Sequence, residues 1–124
     1  MDGDNGALVV DASVSLAWAL PDESSEYADA VLASLASRPL SIPELWPREI
    51  ANGLAMAFRR GRITAEDERR FLALMSRLTI EIHRADALIT IRNGTAAAAR
   101  FNLTAYDAAY VDLCIAGRSG TANP

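Results

Sequence analysis

The chain has no lysine, and all twelve of its basic residues are arginine. That absence removes every mechanism that needs an amine, Schiff bases and the phosphate-binding lysine of a P-loop among them. A single cysteine, Cys114, can neither close an internal disulfide nor build a thiolate metal site, and reads as an inert core residue. The one histidine, His83, leaves Ser-His-Asp and histidine-metal schemes little to work with. Positive charge is also short. With a formal net charge of −4, any nucleic-acid partner must be held by a local patch and not by the bulk field. No apolar run approaches the roughly 18 residues of a membrane span. The opening Met1-Asp2-Gly3-Asp4-Asn5-Gly6 is acidic where a signal peptide would be basic, so a cytoplasmic protein away from membranes is expected.

What is present is ordinary globular material: 124 residues, 51% hydrophobic and 23% charged, enough for one domain and too little for two. Residues 1–6 read as a flexible tail, 7–117 as the domain, and 118–124 as a frayed, truncated end. Ala7-Leu8-Val9-Val10-Asp11 is an apolar run too short for a helix and suited to a buried strand, which carries Asp11 out at the strand's carboxyl end. Open parallel sheets put their chemistry at that end. Val14 to Leu20 suggests a short helix stopped by Pro21, and Asp22 to Glu26 caps a second that runs to about Ser37. A brief strand at 39–43 is bounded by prolines. Pro47 opens a helix that runs to Arg60, where Gly61 closes it. Thr64 and Asp67 start a fourth helix in the manner of a capping box. Thr79 to His83 alternates as a third strand, Ala85 to Phe101 is helical, and a last helix runs from about Asn102 to Ala116. Strands alternating with helices argue for a parallel sheet flanked by helices.

Three carboxylates stand out in this frame: Asp11, Glu49 and Asp107. Each has a plain reading, Asp11 as a cap of the first helix, Glu49 as an acid suited to a helix start, and Asp107 as half of a Thr-x-x-Asp box with Thr104. Against that, Asp11 follows Val9 and Val10, and Asp107 shares a helical face with Tyr110, Val111 and Cys114, so both lie on stripes expected to face the interior. A buried carboxylate is costly without a positive partner, and no arginine obviously serves. Should the three converge, the counter-charge suited to hard oxygen ligands without Cys or His is Mg²⁺ or Mn²⁺. Such an ion can activate a water for in-line attack on a phosphodiester. Ser13, Asn52 and Thr104 could support the acids or simply cap and face solvent. Arg59, Arg60 and Arg62 could touch RNA phosphates or merely suit the end of a helix dipole. Trp18 and Trp46 read as core or dimer contacts and not as base-stacking platforms.

In these residues the chain resembles the PIN-domain ribonucleases, in particular the VapC-type toxins of type II toxin-antitoxin pairs. The resemblance is carried by Val-Val-Asp-Ala-Ser-Val (9–14), Trp-Pro-Arg-Glu-Ile-Ala-Asn-Gly-Leu (46–54) and Leu-Thr-Ala-Tyr-Asp-Ala-Ala-Tyr-Val-Asp-Leu (103–113), in that order. It implies a three-layer α/β/α sandwich with a short central parallel sheet and Mg²⁺- or Mn²⁺-dependent cleavage of RNA. It also implies homodimers, a cognate antitoxin, metal ligation by Asp11, Glu49 and Asp107, and support from Ser13 and Thr104. One departure is expected to matter. The chain closes on Thr121-Ala122-Asn123-Pro124, where the family continues into a further strand and a fourth acid, and Asp112 is turned too far around its helix to replace it. The alternative function is therefore a catalytically impaired PIN-like module that binds antitoxin, itself or RNA. A phosphoacceptor receiver domain would need a paired acid and a lysine, and the chain has neither.

Overall fold

The computed structural model describes residues 6–118. Three short parallel strands, β1 (Leu8–Val9), β2 (Leu40–Pro43) and β3 (Ile80–His83), form a sheet in the order β1-β2-β3. Leu8 lies beside Leu40, Leu40 beside Ile80, and Pro43 beside His83. Parallel neighbours need long crossovers, and helices supply them here: α1 (Ala12–Leu16) and α2 (Glu26–Ser34) before β2, then α3 (Trp46–Arg59) and α4 (Ala65–Met75) before β3. Helices α5 (Ala87–Phe101) and α6 (Ala105–Arg118) follow, and α6 packs on β1 and β2. All four residues of β2 are buried, as a strand covered on both faces must be, which gives the layered α/β/α arrangement.

Leu40 and Ile42 are fully buried and centre a core with Val10, Leu20, Leu35, Trp46, Ile50, Leu54, Phe71 and Met75. Both tryptophans belong to this packing. The buried Trp46 donates its indole N–H to Ser15 Oγ at 3.2 Å, and the half-buried Trp18 donates to the Ala28 carbonyl at 2.9 Å. Helices α1 and α3 approach closely because Gly53 has no side chain. A Cβ there would lie 2.5 Å from Leu16 Cδ1.

Several boundaries differ from the sequence expectation. Helix α1 starts at Ala12 and ends at Leu16, not at 14 and 20, because Asp11 itself caps it, and a 3-10 turn occupies Pro21–Glu23. Helix α2 ends three residues early, at Ser34. Helix α5 begins at Ala87, where Asp86 accepts a hydrogen bond from the Ile89 N–H at 2.9 Å. Helix α6 continues past Ala116 through Gly117 and Arg118. Cys114 is exposed and is not a core residue. Of the expected tail (1–6) and frayed end (118–124), residues 1–5 and 119–124 lie outside the described residues, and Arg118 belongs to α6.

Candidate functional site

The register brings the three strands out at one end, so Asp11, Glu44 and Arg84 follow the sheet on the same side. Asp11 leaves β1 as the N-cap of α1. Its Oδ1 accepts from the Val14 N–H at 3.0 Å and from Ser13 Oγ at 2.9 Å. Glu49 sits in the first turn of α3, with its N–H bonded to the Leu45 carbonyl at 3.0 Å. Asp107 sits in the first turn of α6, where its N–H donates to Thr104 Oγ1 at 3.1 Å. The analogous box in α4 is reciprocal, with Asp67 Oδ2 accepting from the Thr64 N–H at 2.8 Å, whereas the Asp107 carboxylate returns no such bond among the described residues.

Tyr110 ties the site together, and sequence reasoning did not single it out as functional. From α6 it donates its phenolic O–H to Glu49 Oε1 on α3 at 2.5 Å. Burial, first of all, then the hydrogen bond to Glu49, then the negative charges of Glu49 and Asp11, hold that phenol well above its ordinary value. The smallest contribution, a hydrogen bond from the Ala12 backbone, runs the other way. The hydroxyl therefore stays protonated as a donor and marks a point that both Asp11 and Glu49 act upon. The only sequence signal for it is the three-residue step from Asp107 to Tyr110, which puts both on one face of α6.

Asp11 and Asp107 are exposed, which corrects the expectation that these two face the interior, and Glu49 is half-buried. Water shares in their solvation because each stands at an element terminus, where the helix-stripe argument no longer implies cover. None of the three joins an ion pair among the described residues. The donors are hard oxygens without a competing cation, as a divalent ion of that type needs. Yet no group of three His, Cys, Asp or Glu side chains is gathered for a metal among the described residues. Glu49 is tied to Tyr110 by a hydrogen bond, Asp11 reaches that phenol only through its charge, and Asp107 stands one turn from Tyr110 along α6.

The remaining expected residues divide. Ser13 does bond an acid, its neighbour Asp11. Thr104 caps α6, and the exposed Asn52 donates to Met56 Sδ at 3.7 Å and not to an acid. Arg59 and Arg60 are exposed. Arg62 is held by Asp22, through two 3.0 Å bonds, and by Glu23, so its guanidinium is already committed. His83 Nε2 lies 2.6 Å from the buried Ser41 Oγ, which orients the ring. Among the described residues no helix is long and apolar enough to cross a membrane.

No protein-family model matches the chain. It is 36% identical over 106 residues to the VapC ribonuclease Mb0985 of Mycobacterium bovis, covering 86% of this chain and 76% of that protein. Ribonuclease VapC9 of Mycobacterium tuberculosis matches with the same identity and coverage. Similarity of that extent, on a parallel α/β/α framework with acids at the expected element ends, places this chain in the VapC family of PIN-domain proteins.

Proposed function

We propose that this protein, over residues 7–117, is an endoribonuclease and the toxin half of a toxin-antitoxin pair, dependent on Mg²⁺ or Mn²⁺. The observation that carries the reading is the Tyr110 hydroxyl bond that ties Glu49 on α3 to α6, at a phenol whose pKa the Asp11 charge also raises, with neither acid in an ion pair among the described residues. In this proposal Asp11, Glu49 and Asp107 hold the ion. When bound, it would lower the pKa of a water and offset charge on the phosphate during in-line attack. Ser13 fixes the Asp11 carboxylate through its 2.9 Å bond, and Tyr110 fixes that of Glu49, so neither has to reorganise. Thr104 sets the start of α6 and with it the position of Asp107. Arg59 and Arg60 supply positive charge for RNA phosphates. Homodimerisation, a cognate antitoxin and a cytoplasmic setting belong to the same reading.

A second reading, a catalytically weak module that binds antitoxin, itself or RNA, is favoured by the absence of a gathered three-acid group among the described residues. The substitutions Asp11→Asn, Glu49→Gln and Asp107→Asn separate the two. Amides keep the caps and acceptors but remove charge, so RNA cleavage and growth arrest should disappear while the fold survives. Cleavage persisting in all three would end the nuclease proposal. Calorimetric titration with Mn²⁺ is expected to show binding, and none at millimolar metal would favour the module.

A further inference from the structure

A concavity is walled in part by α6, the helix that carries Asp107 and Tyr110. It is a cavity of about 380 Å³, bounded by the ends of β2 and β3 and by the starts of α3, α5 and α6. That volume lies in the range of small-molecule sites. Its walls are mostly apolar, with Pro43, Leu45 and Ile89 among them. Glu44, His83, Arg84, Thr90, Asn93 and Tyr106 break that character, and three of them bear on a ligand. Tyr106 stands in the lining with 67% of its surface exposed, so its ring face is available to a ligand. Asn93 lies in the wall on α5, and its side-chain amide makes no hydrogen bond among the described residues. Arg84 makes one ion pair, Nε to Glu44 Oε2 at 3.3 Å, which leaves its other guanidinium donors open.

The placement matters as much as the composition. Tyr106, which lines the cavity, directly precedes Asp107, and at 100° per residue the two sit on adjacent flanks of one helical turn, Asp107 one turn before the Tyr110 that bonds Glu49. Leu45, in the opposite wall, lies one turn before Glu49 and accepts its N–H. A strand of RNA whose phosphate met the acids would therefore have a neighbouring nucleotide at the cavity mouth. Single-stranded RNA is read by stacking splayed bases on aromatic rings and hydrogen-bonding their edges.

We propose that this cavity is a nucleobase subsite, in which Tyr106 stacks on a base beside the cleaved phosphate, Asn93 bonds its edge and Arg84 meets the adjoining phosphate. The inference rests on the nuclease reading for its register but not for its test, because base binding needs no turnover. The probes are a 12-nucleotide random single-stranded RNA and an abasic ribose-phosphate strand of equal length, titrated by fluorescence anisotropy with EDTA present. The wild-type protein should prefer the base-bearing strand. Tyr106→Ala should weaken that binding by roughly fivefold to a hundredfold and abolish the preference. Tyr106→Phe should keep both, and Asn93→Ala should shift which base flanks the cleaved bond when products are sequenced. Equal affinity of the wild type for the two strands, or RNA binding unchanged in Tyr106→Ala, overturns the subsite even where wild-type cleavage is intact. A change of oligomeric mass in Tyr106→Ala with RNA affinity unchanged would instead assign the cavity to a second copy of the chain. Base-dependent binding without any cleavage would leave the subsite standing and sink the nuclease.

Discussion

At the scale of single residues, the Tyr110 hydroxyl takes the place that an arginine would fill in an ordinary ion pair. It gives Glu49 a donor without giving it a positive charge, so the carboxylate is held in place while its negative field stays available. Tyr110→Phe should therefore cost about 1.5 kcal/mol in urea unfolding, the low end for a bond to a charged group, because Glu49 is only half-buried. It should lower cleavage without abolishing it. Asp11 has two separable duties. Asp11→Ala loses both the α1 cap and the charge and should be destabilised by about 1 kcal/mol. Asp11→Asn keeps the cap, should match the wild type in unfolding, and should be equally inactive. A cleavage defect confined to Asp11→Ala would mean that capping alone explains this residue.

The elements differ in how plainly their residues announce them. Helix α4 was legible because Thr64 and Asp67 satisfy each other's backbone N–H groups within four residues. The strands were legible as short apolar or alternating runs, and the Pro47 start and Gly61 stop of α3 follow from backbone restrictions alone, Gly61 having a φ of +67°. What escaped was whatever depends on distant neighbours. The Glu49–Tyr110 bond spans 61 positions, and the exposure of Asp11, Asp107 and Cys114 depends on which element covers them. Two element-level outcomes follow. The Thr64 backbone hydrogen bond, first, and then the Thr64 side chain and Arg70 hold Asp67 below its usual pKa. A depressed carboxylate contributes stability above its unfolded value, about 3.9, and loses it as pH falls through the folded one. Asp67→Ala, which removes the titrating carboxylate, should thus be less stable than wild type at pH 7, with the gap narrowing as pH falls below about 4 in thermal melts. Gly53→Ala gains helix propensity but drives a methyl into Leu16. Overpacking of about 1–3 kcal/mol outweighs the gain of about 1 kcal/mol, so a lower melting temperature is expected.

Across the whole molecule, order is unevenly supported. The core draws on β2, α3 and α4, whereas no residue of α5 is buried, and Leu88 and Ile91 are 72% and 64% exposed. Helix α5 packs chiefly on α6. Amide hydrogen exchange should therefore be faster along 87–101 than along 46–59, and equal protection of the two helices would contradict that ranking. Should RNA occupy the neighbouring cavity, protection of α5 is the change to look for.

Both indoles lie around α1: Trp18 reaches α2 from the turn after it, and Trp46 reaches Ser15 from the start of α3. Fluorescence excited at the red edge of the absorption band will consequently follow the docking of the first three helices. It will be silent when the last two loosen, so an emission-based unfolding curve and one from circular dichroism should separate if α5 and α6 melt first.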